Sequence, residues 1–240
     1  MIYKKKVIAV IPARGGSKSI PKKNITSSAG KPLIYWTIKE AKKSKYIDRI
    51  ICSTDSKEIA RVAIKLGAEV LFMRPKKLAE DNTPDLPVLL HLLNWLKKNE
   101  SYLPDYIVHL RVTSPLRCVK HIDESIKKLA DDKNADSIRG VCIPNQTPYK
   151  MWEIQGRYMK PLLKIKNIKE PYNTPRQLLP KIYWQNGHIE VIRYSTIINK
   201  RSMTGGNIIP YIMGDEYIID IDSIEDVKLA EIIIKKGKKN

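Results

Sequence analysis

Short apolar runs alternate with segments of helical periodicity along most of this 240-residue chain. The first run, KVIAVIP, precedes KPLIYWTIKEAKKSK, in which apolar residues recur every three to four positions. The pairing repeats with DRIICST and KEIARVAIKLG, then with EVLFMR and LPVLLHLLNWLKKN, and then with DYIVHLRVT, VKHIDESIKKLADD and DSIRGVCIP. This alternation predicts an α/β fold, in which a mostly parallel sheet is covered by helices on both faces.

The alternation stops at about residue 145. Residues 145–183 are rich in Pro, Lys, Gln and Tyr and show no clear period. Regular patterning resumes with HIEVIRYSTI and NIIPYIMGDEYIIDID, and SIEDVKLAEIIIKKG predicts a last helix. We therefore interpret residues 1–240 as one domain, from which 145–183 protrudes as an excursion of the chain.

The charge balance is strongly basic, with 44 Lys+Arg against 25 Asp+Glu and a formal net charge of +19. Such a chain attracts anions, which include nucleic acids, phosphorylated metabolites and membrane surfaces. An RNA-binding module is the alternative that the charge suggests. A single Phe and the absence of an RNP-like aromatic pair argue against it.

The remaining composition points to an intracellular, non-membrane protein. Cys52, Cys118 and Cys142 lie far apart and lack the CxxC spacing of zinc and redox sites. No apolar run approaches the ~18 residues that a membrane-spanning helix requires. The first residues lack the apolar core and cleavage site of a signal peptide. We expect a cytoplasmic location.

The most basic loop, ARGGSKSIPKKN, directly follows the first predicted strand. Ligands of open parallel sheets bind beyond the carboxyl ends of the strands, where this loop begins. Gly15 and Gly16 allow close approach of backbone N–H groups to a ligand, and Arg14, Lys18 and Lys23 supply positive charge. The loop therefore predicts a polyphosphate site, although it matches neither GxxxxGK[ST] nor GxGxxG. A solvated basic loop is the alternative.

A second polar segment, HLRVTSPLR, follows another predicted strand. It places Arg111, Thr113, Ser114 and Arg117 at the same edge of the sheet as the basic loop. Residues at this edge are candidates for contacting the same ligand as the loop.

The acidic segment YIIDIDSIEDV places Asp220 and Asp222 two residues apart. In an extended strand, this spacing puts both carboxylates on one face. Mg²⁺ is commonly held by one or two carboxylates together with substrate phosphates, so the pair is a candidate Mg²⁺ site. The alternatives are an N-cap role for Asp222 and simple solvent exposure for Asp220.

Together these segments resemble the acylneuraminate cytidylyltransferases, also called CMP-sialic acid synthetases. IPARGGSKSIPKKN, STDSKEIA, RPKKLAED, RVTSPLR, NGHIEVI and DIDSIEDVKLAE occur in the family's order and span almost the whole chain. The resemblance implies a Rossmann-like nucleotidyltransferase sheet with an excursion that packs two subunits into a homodimer. It also implies transfer of CMP from CTP to an acidic nonulosonate sugar of the sialic, legionaminic or pseudaminic acid type, with Mg²⁺ and release of pyrophosphate.

The resemblance further implies a role for individual residues. Arg74 would contact the cytosine ring, and Asp85, an unusual acid at its position, would also serve the base. Lys150 and Arg176 would hold the sugar carboxylate. Thr113 and Ser114, placed at the sheet edge with Arg111, are further candidates for substrate binding. The opening motif would bind the nucleotide through Arg14, Gly15, Gly16, Ser17, Lys18, Lys23 and Asn24. Asp220 and Asp222 would bind Mg²⁺, and Arg14, Lys23 and Asp222 would be the catalytic residues.

Several residues depart from the family pattern. Arg111 stands where sialic acid enzymes have Gln, Ser19 replaces a common glycine, and WQNGHIEVI introduces His188 and Glu190 in place of NGAIYI. Arg111 should face the sugar. Its charge keeps open a nucleotidyltransferase for a sugar-1-phosphate, whose phosphate Arg111 would meet, or for an eight-carbon 2-keto sugar acid. A protein that only binds nucleotides would not need Lys150 and Arg176 together.

Overall fold

A six-stranded sheet forms the centre of the computed structural model, which describes residues 2, 4–214 and 219–237. Along the chain its strands are β1 (Val7–Pro12), β4 (Arg49–Ser53), β5 (Tyr106–His109), β6 (Ser137–Cys142), β9 (Trp184–Arg193) and β10 (Ile208–Ile212). Outside it, β2 (Ser27–Ser28) pairs with β3 (Lys31–Pro32), and β7 (Trp152–Gln155) pairs with β8 (Tyr158–Pro161). The strand order in the central sheet is β10-β6-β9-β5-β1-β4.

Strand β9 is the exception to the parallel arrangement. β1 runs parallel to β4 and β5, and β10 runs parallel to β6, whereas β9 is antiparallel to both β5 and β6. The chain leaves the carboxyl end of β6 at Cys142 and re-enters the sheet at Trp184, opposite Cys142. Since the excursion begins and ends at the same edge, β9 must run in the reverse direction. The first residues of β9 consequently lie at the edge where ligands are expected.

The predicted helices are confirmed within a few residues. α2 begins after Ser56, whose hydroxyl accepts a hydrogen bond from the Ile59 backbone N–H, and Gly67 follows its end with φ of 92°. The helices of the described residues are α1 (Leu33–Lys42), α2 (Lys57–Lys65), α3 (Asp85–Glu100), α4 (Val119–Asp131), α5 (Tyr194–Asn199) and α6 (Ile224–Gly237).

The alternation of side chains along β1 builds a core on each face of the sheet. Val7, Ala9 and Ile11 pack with buried residues of α1, α2, α4 and α6. Ile8 and Val10 pack on the opposite face with residues of α3 and α5. Residues 7–11 are all fully buried, as expected of a central strand covered on both faces.

Two predicted segments differ from the structure. EVLFMR, expected as a strand, makes only isolated bridges, between Glu69 and Ile51 and between Met73 and Thr54. It lies beside edge strand β4 but does not form a continuous ladder with it. In HIEVIRYSTI, the last residues begin α5 rather than extending β9. Part of the segment NIIPYIMGDEYIIDID, residues 215–218, lies outside the described residues.

The excursion 145–183 forms the β7–β8 hairpin and short 3₁₀ turns. Its hairpin presents large apolar side chains to solvent, with Ile154 79% and Tyr158 63% exposed. Its dimerisation role and the division into one domain with a protruding segment stay predictions. Among the helices that the structure describes, none has the length and apolar character needed to cross a bilayer.

Candidate active site

The loop after β1 is held in place by backbone hydrogen bonds. The Ala13 N–H donates to the Ser53 carbonyl at 2.9 Å, and the Asn24 side chain donates to the Arg14 carbonyl at 2.8 Å. The Gly15 N–H donates to Asp55 at 2.8 Å, so this group serves the fold. A Cβ on Gly15 would lie 3.0 Å from the Ser56 Cβ, which explains glycine there by close packing.

This loop borders a cavity of about 390 Å³ at the carboxyl ends of β1 and β5. The location agrees with the edge predicted from the sequence. Many predicted site residues line the cavity together: Arg14, Ser17, Lys18, Lys23, Asn24, Arg74, Asp85, Arg111, Thr113 and Asp222. The structure therefore brings the opening loop, the two base-contact candidates, the segment after β5 and one aspartate into one concave site.

Two cations of the loop converge on Asp81. Arg14 Nη1 lies 2.6 Å from Asp81 Oδ1, and Lys18 Nζ lies 2.5 Å from Oδ2. Hydrogen bonds from Lys18 and Arg14 lower the pKa of Asp81 and keep it an anion. Sequence reasoning missed Asp81, although an acid inside RPKKLAED in so basic a chain was a usable signal. Its carboxylate marks a point where the loop can hold an anionic ligand.

Lys23 connects the loop to the acidic segment. Its ammonium donates to the Ile221 carbonyl at 2.8 Å and to Asp222 Oδ1 at 3.0 Å, and its side chain is only 12% exposed. Burial fixes the ammonium at one end of the cavity. Lys23 is thus held in place, whereas the Lys18 side chain is 82% exposed, so the polyphosphate role of the loop stays a prediction.

Asp220 and Asp222 occupy unequal environments. Their backbone is not in a regular strand, and Ile221 between them is fully buried. Among the described residues, Asp220 Oδ1 is buried without a hydrogen-bond partner, and burial raises the pKa of Asp220. The Asp222 side chain is 78% exposed. An unsatisfied buried carboxylate oxygen beside a second carboxylate suits a bound cation.

Asp222 does not cap α6. The Ser223 hydroxyl accepts a hydrogen bond from the Asp226 N–H at 3.2 Å, and Asp226 Oδ2 accepts from the Ser223 N–H at 2.8 Å. This reciprocal pair is a capping box. The alternative interpretation of Asp222 as a helix cap is therefore wrong; its carboxylate pairs with Lys23 and lines the cavity.

Arg74 is fixed at the base of the cavity with 6% exposure. Its guanidinium donates to the Ser53 carbonyl, to the Ser53 hydroxyl at 3.1 Å and to the Leu78 carbonyl at 3.4 Å. Burial lowers its pKa. A side chain this constrained offers a fixed surface rather than a mobile charge.

Residues after β5 divide between the cavity and the core. Thr113 lines the cavity, whereas Ser114 is fully buried. Arg117 donates to the His188 carbonyl and, at 3.0 Å, to the Arg111 carbonyl, so its role is to hold neighbouring backbone. Burial lowers the pKa of Arg117 to about 9. Gly16 has open space around its Cα and does not line the cavity.

Lys150 and Arg176 are not brought into this cavity. Lys150 is exposed at the end of a 3₁₀ turn. Arg176 donates to the carbonyls of Pro144, at 2.5 Å, and Asn145, at 3.3 Å, and lines a separate pocket of about 350 Å³. Their shared role at a sugar carboxylate remains a prediction.

Comparison with known proteins places the chain among nucleotide-transferring enzymes. A model of the cytidylyltransferase family matches residues 8–199. "Post-translational flagellin modification protein B" of Campylobacter coli is 31% identical over 96% of this chain and 95% of its own length. "CMP-N,N'-diacetyllegionaminic acid synthase" of Campylobacter jejuni subsp. jejuni serotype O:2 is 32% identical, covering 95% of this chain and 94% of its own.

A solved structure shares the fold at low sequence identity. It is a CMP:2-keto-3-deoxy-manno-octonic acid synthetase complexed with CTP, with a TM-score of 0.72 and 15% identity. The match covers 97% of this chain and 99% of the other. The Rossmann-like nucleotidyltransferase architecture predicted from the sequence is confirmed.

Proposed function

The chain belongs to the cytidylyltransferase family, and on that premise we propose that it transfers CMP from CTP to an acidic nonulosonate sugar of the sialic, legionaminic or pseudaminic acid type. The observation that supports this most directly is the cavity that Arg14, Lys18, Lys23 and Asp222 line together. A cationic surface opposite a carboxylate suits a metal-bound triphosphate. The named legionaminic acid relative, matched over nearly its full length, supports the sugar class.

In the proposed reaction, the anomeric hydroxyl oxygen of the sugar attacks the α-phosphorus of CTP. The bond from that phosphorus to the bridging oxygen breaks, pyrophosphate leaves, and the hydroxyl proton passes to solvent. Arg14 and Lys18 would exchange their contact with Asp81 for the leaving phosphates. Lys23, already held at 2.8 Å from the Ile221 carbonyl, would stabilise charge on the transferring phosphate without reorganisation.

We propose Mg²⁺ as the cofactor, held by Asp220 and Asp222. Asp220 has a buried Oδ1 without a hydrogen-bond partner, and the Asp222 side chain does not cap α6. Both carboxylates therefore fit a cation that takes its other ligands from phosphates and water. When bound, Mg²⁺ would neutralise triphosphate charge and lower the pKa of the attacking hydroxyl. Among the described residues there is no cluster of three or more His, Cys, Asp or Glu ligands, so substrate phosphates would complete the site.

A homodimer would complete the sugar end. Lys150 and Arg176 belong to the excursion whose exposed apolar residues include Ile154 and Tyr158. Burying such side chains against a second copy would bring cations of one subunit to the cavity of the other. We further propose a cytoplasmic location, where CTP is available.

The decisive experiment measures pyrophosphate release by the purified protein with four nucleoside triphosphates and a panel of acceptors. The panel holds nonulosonates, an eight-carbon 2-keto acid and sugar-1-phosphates. We expect release with CTP and a nonulosonate only. Preference for a sugar-1-phosphate would replace the acceptor class, and preference for another triphosphate would contradict the proposed cytidylyl transfer.

A further inference from the structure

A network of charged side chains crosses the sheet behind the cavity wall. Glu190 on β9 is fully buried and accepts a hydrogen bond from His109 Nδ1 at 2.7 Å. Its carboxylate also lies 2.5 Å from Arg139 Nη1 and 3.7 Å from Arg111 Nη2. On the cavity side, Arg111 Nη2 donates to Asp85 Oδ2 at 2.7 Å. The departures from the family pattern at 85, 111 and 190 are therefore parts of one structure.

The backbone of β9 makes room for Arg111. Gly187 has φ of 68°, and a Cβ there would lie 3.3 Å from the Arg111 Cδ. Glycine at this position allows both the left-handed conformation and the close passage of the arginine stem. The Arg111 carbonyl accepts from Arg117 at 3.0 Å, which fixes the backbone that carries the side chain. Stem, backbone and guanidinium of Arg111 are all constrained.

The charges around Arg111 balance. Arg111 contacts Asp85 and lies near Glu190, and Arg139 contacts Glu190. Arg117 and Asp220 act electrostatically on the same group, so three arginines meet three carboxylates. Burial acts to raise the pKa of Glu190, but the His109 hydrogen bond and the nearby arginines outweigh it and hold that pKa below its usual value. These contacts favour the ionised form of Glu190 beside Arg139 and Arg111.

Arg111 nevertheless keeps hydrogen-bond donors for a ligand. Its guanidinium lines the cavity with 37% of the side chain exposed. Among the described residues, its guanidinium hydrogen bonds use Nη2, which leaves Nε and Nη1 as donors. A ligand here meets oriented N–H groups without a surplus positive charge, and an added phosphate would lie next to the Asp85 carboxylate.

We propose that Asp85 and Glu190 make Arg111 a charge-compensated donor that selects a neutral oxygen acceptor of the sugar, an N-acyl carbonyl or a hydroxyl, rather than a second phosphate. Glu190 is the positioning residue, because it acts on the substrate only through Arg111. This inference rests on the proposed function and narrows its substrate class. It leaves the sugar carboxylate to Lys150 and Arg176.

The test compares Arg111→Met, Glu190→Gln and the double variant, using the sugar on which the wild-type protein is most active. Each single change is expected to raise KM for the sugar about tenfold or more, as loss of a charge-assisted hydrogen bond does, with KM for CTP unchanged. Once Arg111 is gone, Glu190→Gln should have no further effect on that KM. Glu190→Asp, which keeps the charge, should recover part of the loss.

A comparison of sugar acceptors identifies the sugar group that Arg111 contacts. If Arg111 contacts an N-acyl carbonyl, Arg111→Met should affect an N-acylated sugar and spare the analogue with a hydroxyl in its place. If it contacts a sugar hydroxyl, both should lose equally. Inhibition by a sugar-1-phosphate that depends on Arg111 would overturn the neutral-acceptor assignment.

The control is Asp136→Asn, which removes a buried carboxylate outside the cavity. Asp136 is 7% exposed and lies 2.6 Å from Lys200 Nζ. This change should lower the melting temperature and leave KM for the sugar unaltered. Additive losses in the double variant would overturn the inference. If Glu190→Gln fails to fold, an unchanged sugar KM in Arg111→Met would still overturn it. A wild-type protein inactive with every nonulosonate would overturn the proposed function as well.

Discussion

The two ends of the proposed site differ in how far a single chain can build them. At the nucleotide end, Lys23 is nearly buried and bonded to the Ile221 carbonyl and Asp222. In the excursion, Lys150 is exposed, and the guanidinium of Arg176 donates only to backbone carbonyls among the described residues. A cation at the nucleotide end is thus held in place within one chain, whereas the two predicted sugar-carboxylate cations do not line that cavity.

The largest effect should come from removing a preorganised cation at the nucleotide end. Lys23→Met is expected to lower kcat about 10²- to 10³-fold, the usual cost of losing one aligned contact to transition-state charge. Lys22→Met is the matched control, because the neighbouring Lys22 is 65% exposed and pairs with Glu58 outside the cavity. Steady-state kinetics test this prediction. Equal kcat values for Lys23→Met and Lys22→Met would indicate that the loop is only a solvated turn.

Asp222→Asn should lower turnover at least about 10²-fold and weaken dependence on divalent cations, since it removes a proposed metal ligand while keeping the shape. Its exposed side chain and lack of a capping bond predict little change in stability. Turnover measured against Mg²⁺ concentration, together with a melting curve, tests both statements. Full activity in Asp222→Asn would remove this residue from the metal site.

The excursion leads to a different prediction, because we propose that its Arg176 acts at the cavity of the other subunit. Arg176→Ala and Lys23→Met should each be weakly active alone, but mixed subunits would form heterodimers that contain one intact site. With random exchange at equal amounts, half of the dimers are mixed, so about a quarter of the wild-type activity should return. Arg61→Ala, a change at an exposed position of α2 outside the excursion, is the control and should be active without mixing.

Failure of the mixture to recover activity, with subunit exchange verified, would place Arg176 in its own subunit's site or remove it from catalysis. Sedimentation of the wild-type protein as a monomer at assay concentrations would contradict the dimer directly. Either result would contradict the proposal that the excursion residues act in trans while the nucleotide-binding residues act within their own chain.

The sequence predicts most of the fold because the β–α alternation and helix ends are local signals. α2 illustrates this, since its first turn and the glycine after it were readable from KEIARVAIKLG. The direction of β9 was not readable, because it depends on where the excursion re-enters the sheet rather than on residues 184–193 themselves. EVLFMR has strand composition, yet as the outermost segment it pairs only at Glu69 and Met73.

Site residues that lie in short sequence motifs could be predicted. Contacts between site residues that lie far apart in the sequence could not. The opening loop and Asp222 were identified from short segments. The partnership of Asp85, Arg111 and Glu190 joins residues from α3, the end of β5 and β9, so only the topology brings them together. Asp81 was overlooked because its contacts with Arg14 and Lys18 join it to a distant part of the chain.

The smallest effect should separate the helix cap from the metal site. Ser223→Ala removes the hydroxyl that accepts from the Asp226 N–H, and loss of such a cap costs about 1 kcal/mol of stability. Thermal or urea unfolding should detect this, while kcat and KM for CTP should be unaffected, because Ser223 does not line the cavity. Asp222→Asn should instead leave the free energy of unfolding unchanged and lower kcat. If Ser223→Ala instead lowered kcat as strongly as Asp222→Asn, the start of α6 would act as one unit, and Asp222 could not be assigned to the metal separately from its helix.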